Sequence, residues 1–142
     1  MLAGLIALVS AAAFAGAACY INFAEHPARM ALPAAQALRQ WRPAYHRGFI
    51  MQASLAVVGG ACALLQWWLA GQGVWLLGGL LLLANWPVTL LFILPTNRRL
   101  EAGPPGSDPD SERLLRRWNR LHGIRSGLGL LSTGTLLLGA AH

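Results

Sequence analysis

The sequence predicts an all-α fold: a four-helix transmembrane bundle with a partly helical loop between helices 1 and 2. Three observations predict it. Hydrophobic residues make up 56% of the chain and charged residues 11%, more apolar side chain than a soluble core of this size can hide. Those residues are gathered in blocks of about 20, the length that crosses ~30 Å of hydrocarbon. The charges fall between the blocks rather than within them. At 142 residues the chain reads as a single membrane domain. The spans are expected at about 1–22, 48–70, 74–96 and 119–141, with loops at 23–47 and 97–112.

The first block, "MLAGLIALVSAAAFAGAACY", has small residues ahead of Cys19 that loosely imitate a lipoprotein box. No Arg or Lys precedes its apolar stretch, so a retained helix is expected rather than a cleaved signal. Cys19 and Cys62 both fall within spans and read as small apolar fillers in preference to a disulfide. The following stretch, "FAEHPARMALPAAQALRQWRPAYHR", contains Pro27, Pro33 and Pro43, and no single helix is expected to fill it. Within it, "PAAQALRQW" reads as a short helix opened by Pro33 and lying along the interface.

Spans two and three are joined by "AGQG". Span three carries Asn85 and Thr89 one turn apart around Pro87. If the helix continues through its prolines, Asn85, Thr89, Phe92 and Thr96 share a face. Asn85 and Thr89 read as polar ties between helices, or as partners for backbone carbonyls opened by Pro87. The connector "NRRLEAGPPGSDPDSER" is rich in turn formers. Asp108 followed by Pro109 predicts a cap and a first-turn proline that start helix four outside the membrane.

All 11 basic residues are arginines, and none lies in the "AGQG" link or at either terminus. With four spans both charged loops share one face, which the positive-inside rule makes cytoplasmic, with the termini outside a bacterial-type inner or plasma membrane. Arginines beside membrane spans point to anionic lipid headgroups, and no basic recognition module argues for nucleic acid. Trp67, Trp68 and Trp75 fit an outer interfacial belt, and Trp41, Tyr45 and Tyr20 an inner one. Gly123-xxx-Gly127 and the Ala/Gly-rich first helix read as close-packing surfaces; such faces leave a homo-oligomer open.

On helix four, Arg113, Arg116, Arg117 and Arg120 gather on one side at about 100° per residue. Trp118, His122, Arg125, Gly129 and Ser132 gather on the other. A charge near hydrocarbon must face protein or a wet cavity, so the Trp118–His122–Arg125 stripe is expected to face the bundle. Tyr20, Glu25, His26, Tyr45, His46 and Asn97 share that end of the molecule, while His142 falls at the other. Together they predict a cavity toward the cytoplasmic leaflet, roofed by loop 23–47.

The order Glu25-His26-Pro27 after helix one, "Trp…Tyr" closing the loop, Asn97 after helix three, and Trp118-Asn119-Arg120-Leu121-His122-Gly123-Ile124-Arg125 opening helix four resembles the anthrone oxygenase-like integral membrane family. The resemblance covers nearly the whole chain. It implies a four-helix membrane bundle and, for a few fungal members, oxygenation of anthrones to anthraquinones without metal or flavin. It leads us to expect a monooxygenase-type oxidoreductase acting on a flat lipophilic aromatic of anthrone or quinone type.

For such a reaction His122 has the unperturbed pKa of a base. Arg125 would hold the resulting anion, with Asn97 donating a hydrogen bond. Glu25 would orient His122 or pair with Arg125. Trp118, with Tyr20, Tyr45, Trp41 and His26, would supply the ring-binding walls. Two other readings stay open. A haem or metal ion held by His26, His46 and His122 would make it a redox protein, though the ligand spacing is loose and no CxxCH motif exists. A non-catalytic scaffold or partner subunit would use Glu25–Arg125 as a plain salt bridge and His122 and Trp118 as packing.

Overall fold

The computed structural model describes residues 1–103 and 109–141. These form four long helices: α1 (Leu2–Met30), α2 (Ala34–Ala70) and α3 (Gly73–Ala102), then α4 (Pro109–Ala140). Among the described residues there is no strand. In the bundle α1 packs on α2 and α4, and α3 packs on the same two, so chain neighbours are spatial neighbours and the diagonal pairs touch least. Short turns between antiparallel helices produce this order.

Helices α1, α2 and α3 are each long and apolar enough to cross a bilayer. The fourth does not stand with them by that measure, because Arg113 to Arg125 and its Ser and Thr residues dilute its apolar content. It lies in the bundle along its length, and its outward Leu130, Leu131, Leu137 and Leu138 continue the apolar exterior formed by Val9, Val57, Leu77 and Leu91. Large hydrophobic side chains exposed around a bundle are those a lipid environment covers.

As expected, no single helix fills the 23–47 stretch, but it breaks at only one of its prolines, Pro33. Helix α1 runs on to Met30, the chain turns at Ala31–Pro33, and α2 continues from Ala34 to Ala70 without a break at Pro43. Pro33 sits extended at φ −54, ψ 143, and its carbonyl accepts from Gln36 N and Ala37 N at 2.8 and 3.0 Å. Proline costs least here because its missing N–H would have been unpaired anyway. Pro43 is tolerated because it and Arg39 are both exposed near the charged end, where water can take the carbonyl it leaves open. The expected short interfacial helix is therefore the first turns of a 37-residue one.

Helix α3 likewise runs past the expected span end to Ala102, where Arg42 donates to the carbonyls of Leu100 and Gly103 and closes the helix. Cations favour that end of the helix dipole. Pro109 begins α4 as the sequence implies, while Asp108 and His142 lie outside the described residues. Between α2 and α3 the turn uses Gly71 at φ +70, a left-handed conformation that glycine adopts without strain.

Two π turns interrupt the regular helices, Ile21–Glu25 in α1 and Thr89–Ile93 in α3. Each ends two residues before a proline, Pro27 and Pro95. A proline has no N–H for the carbonyl four residues back, and its ring crowds that carbonyl. Widening the turn relieves the clash, and His26 N bonds Ile21 O while Leu94 N bonds Thr89 O. The extra residue shifts the register. Asn85, Thr89, Ile93 and Thr96 face inward, whereas Phe92, expected on that face, is exposed.

The interior has two apolar layers. One joins Ala7, Ala11, Phe14, Ala56, Trp75 and Leu136. The other, at the arginine end, joins Ala37, Leu38, Trp41, Leu100, Leu115 and Trp118. Trp75 thus belongs to the core and not to an interfacial belt: the short residues Gly4 and Gly139 leave the space its ring fills, and its Nε1 donates to Gln72 at 2.9 Å. Gly123 and Gly127 face open space rather than another helix of the chain.

Candidate functional site

The expected stripe on α4 is buried. Ser111, Leu115, Trp118, His122, Arg125, Gly129, Ser132, Leu136 and Gly139 alternate at spacings of four and three and all lie inside, the pattern of one helix face. Arg113, Arg116, Arg117 and Arg120 are exposed on the opposite side. The π turn of α1 and the middle of α2 complete a cleft walled by Glu25, Arg29, Tyr45, Trp118, His122 and Arg125, with Ile21, Phe49, Gln52 and Ile93 also contributing. Both π turns border it, Ile21 opening one and Ile93 closing the other. The cleft has about 370 Å³ of atom-free space, a figure that counts its open mouth, and it is narrow between its walls.

Its aromatic wall is continuous. Trp118 lies 5.0 Å from His122, stacked at 30°, and 6.2 Å from His26 on another side. Trp41 meets Trp118 edge-on at 5.8 Å and stacks on Tyr45 at 4.9 Å with the rings 3° from parallel. Trp41 is fully buried and stands behind the wall, not in it. Offset and edge-to-face contacts of this kind hold ring orientation. Arg29 lies 5.7 Å from the Trp118 ring, and Arg125 lies 5.4 Å from Phe14, so each buried guanidinium rests against an aromatic ring.

The polar partners differ from those expected. Glu25 pairs with Arg29 one turn on, and Gln40 bridges to both. Glu25 therefore neither orients His122 nor pairs with Arg125. Asn22 takes the orienting position: His122 Nδ1 lies 3.1 Å from Asn22 Oδ1. Asn22 Nδ2 donates to the Asn119 carbonyl at 3.0 Å and to Asn119 Oδ1 at 2.7 Å, and Ser126 Oγ donates to Asn22 Oδ1. With its amide nitrogen committed to two acceptors, Asn22 presents oxygen to the imidazole. His122 then carries its proton on Nδ1, leaving Nε2 with the free lone pair. His122 is 2% exposed.

The other expected residues are distributed as follows. Glu25, His26, Tyr45, Trp118, His122 and Arg125 come together, with His26 just outside the cleft wall. Tyr20 does not join them; it is 62% exposed on the outer surface of α1. Asn97 is fully buried on α3 beside Tyr45, apart from the cleft lining. His46 faces Glu101 at 3.3 Å near the surface, away from His26 and His122. Among the described residues no three His, Cys, Asp or Glu side chains gather to hold a metal ion. Asn22, Arg29, Gln52 and Phe49 were not singled out from the sequence. One signal was available for Asn22 and Arg29: they stand three residues before Glu25 and four after it, on the same turns.

An all-α integral membrane bundle, with a histidine and an arginine buried among aromatic rings at its charged end, is the class these features define. A family model described as anthrone oxygenase matches residues 41–135, which include Tyr45, Asn97, Trp118, His122 and Arg125 but not Glu25 or Asn22. The chain belongs to that family. No curated protein and no solved structure matches it.

Proposed function

We propose that this protein is a cofactor-independent oxygenase that oxidises a flat lipophilic aromatic ketone of the anthrone type within the cleft between α1, α2 and α4. The observation that carries the reading is the imidazole of His122, oriented by Asn22 so that Nε2 keeps its lone pair, beside the buried cation Arg125. Nε2 removes a proton from the methylene carbon of the substrate, and the electron pair left behind delocalises onto the ketone oxygen. Arg125 stabilises that charge. The carbanion is electron-rich enough to reduce dioxygen directly. Oxygen adds at the same carbon to give a hydroperoxide, and loss of water leaves the second carbonyl. One dioxygen is consumed; one of its atoms ends in the quinone and the other in water.

Trp118 and Tyr45 supply the flat apolar walls. The free space is too small for three fused rings as it stands, so binding requires side chains to give way. Phe49, half-buried on the α2 side of the cleft, is the ring that moves. The arginine-rich end faces the cytoplasm on this reading, placing the cleft within reach of the inner leaflet and its anionic headgroups.

The test is a detergent-purified sample given anthrone under air, with quinone formation followed by absorbance. The proposal expects a protein without a visible chromophore that accelerates quinone formation, and loss of that acceleration in His122→Ala. Turnover unchanged in His122→Ala, or a stoichiometric haem or metal required for turnover, sinks it.

A further inference from the structure

A second cavity lies deeper in the bundle than the first and meets it at Arg125. It is lined by Phe49, Gln52, Asn85, Trp86, Thr89 and Arg125, and it shares Phe49, Gln52 and Arg125 with the cleft above. Around it, buried polar atoms have no hydrogen-bond partner among the described residues: Nε2 and Oε1 of Gln52, Oδ1 of Asn85, Nε1 of Trp86 and Nε of Arg125. Gln52 is 1% and Asn85 2% exposed. Neighbouring polar groups are satisfied within their own helix, since Asn85 Nδ2 donates to Leu82 O at 2.9 Å and Thr89 Oγ1 to Asn85 O at 2.7 Å. Unpaired donors in the interior of a membrane bundle carry a desolvation cost that something must offset. The cavity is narrower than the cleft above it, with room for an oxygen atom and not for a ring.

We infer that Gln52 and Trp86 complete, with Arg125, an oxyanion-binding subsite at the membrane-deep edge of the substrate. The inference rests on the oxygenase reading above and narrows its substrate class. It calls for an aromatic ketone whose carbonyl lies across the ring system from the acidic carbon. When a base near the outer edge takes the proton from that carbon, the C–H bond breaks and its electron pair moves through the rings to the carbonyl oxygen opposite. The negative charge therefore develops at the far edge, not at the carbon. His122 precedes Arg125 by three residues on α4, so the base stands nearer the charged end and the donors stand deeper. The amide Nε2 of Gln52, the indole Nε1 of Trp86 and Nε of Arg125 are N–H donors without a partner among the described residues. Donors fixed before the charge appears stabilise it without reorganisation. Their unpaired state is then the cost of holding that geometry in the empty protein.

The experiment separates proton removal from oxygen chemistry. Purified protein is mixed with anthrone in deuterated buffer without oxygen, and exchange at the methylene carbon is followed by NMR; thermal melting is recorded for each variant without substrate. Wild type is expected to accelerate exchange. Gln52→Leu is expected to slow the catalysed exchange at least about tenfold while melting at the same or a higher temperature, because an unpaired amide has been replaced by an apolar side chain of similar size. Trp86→Phe keeps a ring, removes the N–H, and is expected to act in the same direction.

Catalysed exchange that is unchanged in both variants overturns the subsite and leaves the His122 reading standing. A marked fall in melting temperature for Gln52→Leu also overturns it, since the amide would then be holding the bundle together. Wild-type protein that accelerates neither exchange nor quinone formation overturns this inference and the oxygenase reading together.

Discussion

Asn22 on α1 and His122 on α4 are joined at 3.1 Å, Oδ1 to Nδ1, across the helix pair that forms one wall of the cleft. The amide is held from behind by Asn119 and Ser126, so a residue with no chemistry of its own sets which nitrogen of the imidazole is free. Replacing it tests whether that orientation matters. Asn22→Leu is expected to lower kcat for quinone formation by about tenfold or more with little change in KM, because the neutral imidazole then distributes its proton between both nitrogens. Equal kinetics in wild type and Asn22→Leu would show the contact to be packing only.

Glu25 and Arg29 form a pair in which the guanidinium side chain is 2% exposed and the carboxylate 22%. Removing Glu25 leaves the buried guanidinium with Gln40 and the Trp118 ring but no counter-charge, a cost of about 1–3 kcal/mol. Glu25→Ala is therefore expected to lower the thermal stability of the detergent-solubilised bundle sharply. Replacing both, as Glu25→Leu with Arg29→Met, is expected to recover most of it. If the double replacement melts no higher than Glu25→Ala, the pair is held by more than its mutual charge.

Trp75 fills the space left by Gly4 and Gly139 at the end of the bundle opposite the cleft. A Cβ on Gly4 would lie 2.6 Å from its Cη2, and one on Gly139 2.9 Å from its Cε2. Gly4→Val or Gly139→Val is expected to cost about 1–3 kcal/mol through overpacking. Gly16→Ala, where nothing stands within 4 Å, is the control and should melt at or above wild type. The cleft is remote from this contact, so anthrone turnover per folded molecule should be unaffected in all three.

Orientation in the membrane is checked with single cysteines in a background carrying Cys19→Ala and Cys62→Ala. Arg113 and Gln72 are both exposed, at opposite ends of the bundle. A membrane-impermeant thiol reagent applied to intact cells is expected to label Gln72→Cys, and to reach Arg113→Cys only after permeabilisation. The reverse pattern would place the arginine-rich end and the cleft outside.

Much of the architecture was legible in the chain because lipid demands long apolar helices and leaves charges only at their ends. The same logic placed Trp118, His122 and Arg125 on the inward face of α4, since a regular helix converts residue spacing directly into direction. The family resemblance carried by those residues is confirmed by the match over residues 41–135.

Direction failed where the helices are not regular. Phe92 was expected inside and lies outside because the π turn before Pro95 adds a residue to the repeat. The 23–47 stretch breaks at Pro33 as its prolines imply, but Pro27 follows a widened turn and Pro43 lies on an exposed face, so the helices on either side of the break run on. Partners between helices were equally hidden. Glu25 bonds Arg29 and Gln40, leaving His122 to Asn22, a residue 100 positions away in sequence. Spacing along one helix sets which side chains face inward, but which of them meet depends on the rotation and depth of the neighbouring helix. Only the packed bundle decides that.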